Sequence, residues 1–238
     1  MRWTSCGRVS PSTVAERAVP LASVIGTSYI GGRVLSGAVE PGTELRDLDF
    51  EDCRIEGATL ELSVWRRCAL DSCTLVGVNL SRASLIDVRL ADCTMRDSKA
   101  QAVRWSGVRA GGLAPRSVTF EACRLDYGSF AETDVRGMRF VRCSLVEADF
   151  GGADARAVEF VDCDLSGARF TGADLRGALV VGATGLGLDV REARTAGLRV
   201  DPGGALALVD ALGVQVVDGP GVGDRSVEGD GSVGERDR

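Results

Sequence analysis

Histidine is absent from the 238-residue chain. With it go the commonest general base and the commonest metal ligand, and therefore every Ser-His-Asp or Cys-His nucleophile system. Aromatic residues make up 5% of the sequence, too few for a core built mainly on large rings. No stretch approaches the roughly 18 consecutive apolar residues that a membrane-spanning helix needs. The apolar segment 19–25 is interrupted by Pro20, and it lies too far from Met1 to read as a secretory signal. These absences point to a cytoplasmic protein. No Cys-x-x-Cys pair and no Gly-rich phosphate loop is present. Surface carboxylate pairs such as Asp162 with Asp164 do not complete a catalytic constellation by themselves. The chain is expected to be no enzyme and to carry no metal and no cofactor.

Strong charge of either sign is also lacking. The formal net charge is −6, from 28 basic and 34 acidic residues. It divides into +1 over residues 1–44, −3 over 45–180 and −4 over 181–238. Nothing is basic enough to suggest direct nucleic-acid binding.

What the sequence does contain is a five-residue period that falls on numbers divisible by five. From Leu45 to Val180 there are 28 such centres, and 24 of them are large and apolar. All seven Phe residues of the chain are centres: Phe50, Phe120, Phe130, Phe140, Phe150, Phe160 and Phe170. Leu75 and Leu145 are further examples. The position two before each centre is mostly small, as at Ala58, Ala83, Ala148 and Ala173. Residues 43–180 carry 40 charges, and none falls on either of these two positions.

A period of five fits neither regular element. On an α-helix each step of five residues rotates by about 140°, which scatters the apolar residues around the axis. In a plain strand side chains alternate. The inward spacing here runs two, three, two, three. A step of three stays on one side only if the chain turns within it, so each five residues make one short face and one corner. Gly stands at the corner two after a centre at Gly57, Gly77, Gly107, Gly112, Gly137, Gly152, Gly167, Gly172 and Gly177, where a tight backbone is tolerated.

In this pattern the chain resembles the pentapeptide-repeat family, whose motif is roughly Ala-(Asp/Asn)-Leu-x-x. The clearest copies are Ala148-Asp149-Phe150, Ala153-Asp154-Ala155 and Ala173-Asp174-Leu175-Arg176-Gly177. The resemblance covers about residues 43–183. It implies an all-β solenoid, a right-handed quadrilateral β-helix with four repeats per coil. Twenty-eight repeats then make seven coils, a rod of about 34 Å at strand spacing. The register weakens over 96–117, where the centres are Ala100, Trp105, Ala110 and Pro115. Because the numbering stays in phase across it, a distorted coil is expected there rather than a protruding loop.

Seven of the eight cysteines occupy the small inward position. At the 20-residue coil period they form two columns, Cys53, Cys73, Cys93 and Cys123, Cys143, Cys163, with Cys68 apart. They read as small apolar core fillers rather than disulfides or metal ligands. Cys6 is expected to be an exposed thiol.

A solenoid needs caps, because its ends expose apolar core. Asp201-Pro202 predicts a helix start and Gly213 its end, giving a short C-terminal capping helix over 202–212. Leu206, Val209 and Leu212 would lie on one face. Val214, Val216 and Val217 would add a short strand. The helix is expected to act as a lid on the last coil and, by the resemblance to Qnr-type members, as a homodimer contact. The expected organisation is an N-terminal segment 1–40, partly disordered or capping, with a short helix over 10–18 and strands within 24–35. The β-helix follows over 41–183, the C-terminal cap over 184–217, and a Gly- and charge-rich disordered tail over 218–238.

Function on such a rod must lie on its faces. Sorted by the 20-residue period, the face of Phe50, Leu70, Leu90, Ala110, Phe130, Phe150 and Phe170 is acidic. It carries Asp49, Glu51, Asp52, Asp71, Asp92, Glu132 and Asp149 against Arg89, Arg109 and Arg169, a net −4. The next face carries Arg96, Arg116, Arg136, Arg156 and Arg176 beside Asp134, Asp154 and Asp174. The favoured reading is a protein-protein interaction scaffold. The alternative, implied by the resemblance, is a DNA mimic that binds a type II topoisomerase such as gyrase and modulates quinolone sensitivity. Neither requires direct contact with nucleic acid or a membrane.

Overall fold

The computed structural model describes residues 18–110 and 118–217. They form a parallel β-solenoid of about nine turns. One side of it is a continuous ladder of ten short strands, from Val19–Pro20 through Val34–Ala38, Arg54–Thr59, Thr74–Val76, Thr94–Arg96, Thr119–Glu121, Arg139–Val141, Glu159–Val161 and Leu179–Val181 to Arg199–Val200. A second side holds five strands, Tyr29–Gly31, Asp49–Glu51, Ala69–Asp71, Val88–Ala91 and Val108–Ala110. A third holds three, Glu44–Arg46, Val64–Arg66 and Ser84–Ile86. The fourth is a line of single parallel bridges from Thr59 through Asn79, Lys99, Arg124, Ser144 and Asp164 to Thr184. Every pairing between these strands is parallel, and apart from a register shift between Ser36 and Ala38 residues one coil apart stack directly.

Each repeat is shaped by its corner. The residue two after the centre takes a left-handed backbone, at Gly57, Gly77, Gly137, Gly152, Gly167, Gly172 and Gly177 but also at 17 non-glycine positions such as Asp52, Arg67, Ala122 and Ala157. Such conformations cost about 1–2 kcal/mol each without glycine. The inter-coil hydrogen bonds hold them in place; Ala157 N–H, for example, donates to the Arg176 carbonyl at 3.0 Å.

The ladder runs beyond the span 41–183 at both ends. Leu21, Ile30 and Leu35 are buried in the first coils, and Leu186 and Leu188 in the last. Glu40 stands where a centre would, and Val39 is buried beside it. Backbone pairing continues whether or not a large apolar residue occupies every centre.

Two coils depart from the period. The first pairs Val19 with Leu35, 16 residues apart. In the other, Thr94 pairs with Thr119, Lys99 with Arg124 and Arg104 with Ser129, 25 residues apart, where the intervening and later coils step by 20 as from Thr74 to Thr94. This coil is enlarged by one repeat length. The phase survived because the insertion is itself five residues long, so phase could not distinguish an extra repeat from a distorted one. Residues 111–117 lie outside the described residues. The consequence is large: every residue beyond 117 sits one side earlier, in the order the chain visits the sides, than a uniform 20-residue period places it.

The interior is filled by the centres. Phe50, Leu75, Phe120, Phe130, Phe140, Leu145, Phe150, Phe160 and Phe170 are all buried. The rings form two stacks, Phe120–Phe140–Phe160 and Trp105–Phe130–Phe150–Phe170, with centroids 4.7–5.5 Å apart. Between the stacks the rings meet edge to face, the favourable geometry for neighbouring quadrupoles. Cys53, Cys73, Cys93, Cys123, Cys143 and Cys163 line the inner corners as free, buried thiols, together with Cys68. In the columns the bond from a neighbouring thiol, followed by burial, raises Cys73 and Cys163. Cys143 is pushed up to about 12, chiefly by the bond from Cys123.

The helix runs Pro202–Ala211, capped by the Asp201 carboxylate, which accepts from Gly204 N–H at 2.7 Å. Its packed side is not the one expected. Gly204 is buried, and Ala207 and Leu208 pack on the core. Leu206 and Leu212 are exposed. The cap enters directly from the last strand, Arg199–Val200, and that entry angle turns the small residues inward. Val214, Val216 and Val217 form no strand and are exposed. The predicted helix over 10–18 lies, but for Ala18, outside the described residues, as do Cys6 and the tail 218–238.

Candidate interaction surface

The enlarged coil redraws the faces. Asp49, Glu51 and Asp71 flank the inward Phe50 and Leu70 on the five-stranded side, with Asp52 and Asp92 on its left-handed corners. Glu132 and Asp149 do not belong with them. Asp149 follows Arg104 and Ser129 on the three-stranded side and is bound by Arg169 at 3.0 Å, and Glu132 is the corner of the same side. The acidic patch therefore comprises five residues over three coils, about 10 Å of rod at strand spacing, rather than seven along its whole length. Tyr29, one coil earlier, is exposed and donates its hydroxyl to Glu51 at 2.8 Å. That bond raises the tyrosine's pKa.

Further along the same side the acids are neutralised. Asp134, Asp154 and Asp174 stack one above another, and each is gripped by the arginine two residues on. Arg136 donates to Asp134 at 2.8 and 2.6 Å, Arg156 to Asp154 at 2.8 and 2.7 Å, and Arg176 to Asp174 at 2.8 and 2.7 Å. The fork of the guanidinium fits the two oxygens of the carboxylate, because the two side chains leave the backbone on either side of one inward residue, the Asp at a single bridge and the Arg at the turn that follows. Arg176 holds the Asp174 carboxyl at about 2, and Arg191 does the same to Asp189 on the neighbouring side. The expected five-member arginine column is thus three members long. Arg96 lies on the ten-stranded side, paired with Glu121 at 3.0 Å, and Arg116 lies outside the described residues.

The fourth side buries one carboxylate. Asp126 accepts from Gln101 Nε2 at 2.8 Å and from the Ser144 hydroxyl, joining the coils on either side of it. No sequence signal marked it, because it occupies an outward position that only the stacking closes. Among the described residues no group of three His, Cys, Asp or Glu side chains is arranged to hold a metal ion. No helix there is long and apolar enough to cross a membrane.

A parallel solenoid built from five-residue units, with small inward residues before each large one, defines a class of repeat protein. The model of the family "Pentapeptide repeats" matches the chain in eight copies, over residues 66–99 and 143–180. Over those residues the chain carries pentapeptide repeats. Among solved structures it is similar to HetL, a pentapeptide repeat protein involved in heterocyst differentiation regulation from the cyanobacterium Nostoc sp. strain PCC 7120. The identity is 19%, over 72% of this chain and 84% of that one, with a TM-score of 0.51. It is also similar to a trypsin-treated variant of QnrB1, a plasmid-mediated fluoroquinolone resistance protein, at 18% identity over 80% and 99% of the two chains and a TM-score of 0.48. No curated protein matches the chain.

Proposed function

We propose that this protein is a non-catalytic scaffold that binds a protein partner through the flat sides of its rod. The observation that carries this reading is the division of one side into a net-acidic patch, Asp49, Glu51, Asp52, Asp71 and Asp92, and a neutral ladder of Asp–Arg pairs. A rigid backbone presents these groups at fixed spacing, so little ordering entropy is lost on binding. The seven buried thiols without a disulfide suit a reducing, cytoplasmic setting. The exposed Leu206 and Leu212 of the cap offer a contact for a second copy.

The same patch supports the gyrase reading as a second possibility. Duplex DNA carries one charge per about 1.7 Å, or about six over 10 Å; the five acids less Arg89 on the same three coils leave a net −4 over that length. The patch spans only about a third of a duplex turn of about 34 Å. The decisive experiment adds the purified protein to a gyrase supercoiling assay with and without a quinolone. Inhibition or drug protection that disappears on reversing Asp49, Glu51 and Asp52 to lysine supports mimicry. With no effect at micromolar protein, the partner is sought by cross-linking and capture.

A further inference from the structure

The three-stranded side stops at Ser84–Ile86, although the rod continues. The next coil crosses that side as a single bridge at Arg104 followed by a 3-10 turn, Trp105–Gly107, instead of a strand. Gly107 passes so close to the Leu85 carbonyl that a Cβ would sit 1.9 Å from its oxygen, which only glycine avoids. Where the strand is missing, a groove of about 520 Å³ opens. Its floor is Leu85, only half-buried despite its inward position, and Ile86, which is exposed.

Two arginines and two serines border this floor, Arg82, Arg104, Ser84 and Ser106. The backbones under both arginines are fixed. Arg82 N–H donates to the Gln101 carbonyl at 2.9 Å from a left-handed corner, and Arg104 pairs with Ser84 on one side and Ser129 on the other. Nearby arginines are already engaged, Arg67 by Asp47 and Arg109 by Asp87, and Asp87 is the groove's own acidic residue. Arg82 and Arg104 have no carboxylate partner among the described residues. The groove is thus a cationic and apolar spot on a chain of net charge −6.

We infer that this groove binds an acidic peptide segment of a partner protein, with an apolar side chain seated on Leu85 and Ile86 and carboxylates held by Arg82 and Arg104. Charge complementarity selects the occupant: the guanidinium fork matches a carboxylate, and an apolar floor favours a segment that mixes acidic with apolar residues. The inference rests on the scaffold reading but concerns a different surface from the acidic patch.

The test titrates the isotope-labelled full chain with a capped pentapeptide, Glu-Leu-Glu-Leu-Glu, and with its counterpart carrying Lys for Glu. Saturable shifts of the Ile86, Ser106 and Gly107 amides with the acidic peptide alone are expected. They weaken at least fivefold in the Arg82→Ser/Arg104→Ser variant and are unchanged in Arg199→Ser, whose own amide spectra establish that the rod is folded. No saturable shift with the wild-type chain, or equal binding by the double variant, overturns the inference. Partner capture that survives the double variant overturns the groove alone and leaves the scaffold reading intact.

Discussion

Replacing Phe140 by alanine tests the aromatic stack where it is densest. The ring is fully buried. It stacks on Phe120 at 5.1 Å and Phe160 at 5.2 Å, and meets Phe130 and Phe150 edge to face at 5.6 and 6.1 Å. A buried Phe→Ala change costs about 3–5 kcal/mol, more where the surroundings cannot close on the cavity. Here they cannot. The coils above and below are held at strand spacing by bonds such as Arg139 N–H to the Val118 carbonyl at 3.0 Å and Glu159 N–H to the Met138 carbonyl at 2.9 Å. The upper end, about 5 kcal/mol, is therefore expected. Phe140→Leu keeps most of the buried area but loses the ring pairs, about 1–3 kcal/mol. Urea unfolding followed by circular dichroism gives both numbers. Amide exchange should show the loss spreading from the strand Arg139–Val141 to its neighbours, since each coil is stabilised by adjacent coils alone. A Phe140→Ala loss below about 1.5 kcal/mol, or one equal to that of Phe140→Leu, would refute the idea that the ladder prevents collapse and that the rings act as a stack.

Ala157 has φ +55, so Ala157→Gly should stabilise the protein by about 0.5–1 kcal/mol, read as a higher Tm; a lower Tm would mean that the corner is not strained. The Asp174 carboxyl is held at about 2 by Arg176, below its ordinary value, so its contribution to stability is present above the ordinary carboxylate pKa and lost as pH falls through about 2. Carboxyl-carbon NMR should find that midpoint, and Arg176→Ser should move it up toward the ordinary value. The seven described thiols should be silent to a thiol reagent in the native protein and all react in concentrated guanidinium; labelling of any column cysteine under native conditions would contradict their burial.

The repeat itself was plain in the sequence, because an inward position tolerates no charge and the coil repeats it every five residues. Phe120 through Phe170 and both thiol columns could be placed from that rule alone. The cap was legible in Asp201 and Pro202, whose carboxylate and ring suit a helix start wherever the helix points. Its packed side was not legible, since Leu206 looks as apolar as Leu208 and only the path of the chain out of the strand Arg199–Val200 separates them. Glu132 and Asp149 show the same limit on a larger scale. An insertion of one whole repeat leaves the five-residue phase untouched yet rotates the remainder of the chain by one side.

The sequence by itself therefore determined which residues face inward, because burial is decided locally, within each five-residue unit. The tertiary structure alone decided which outward residues share a face, where the ladder begins and ends, and where a missing strand leaves Leu85 and Ile86 uncovered. Those depend on how many residues each coil spends in closing, and that number is set by backbone pairing between residues 16, 20 or 25 apart, which no local pattern records.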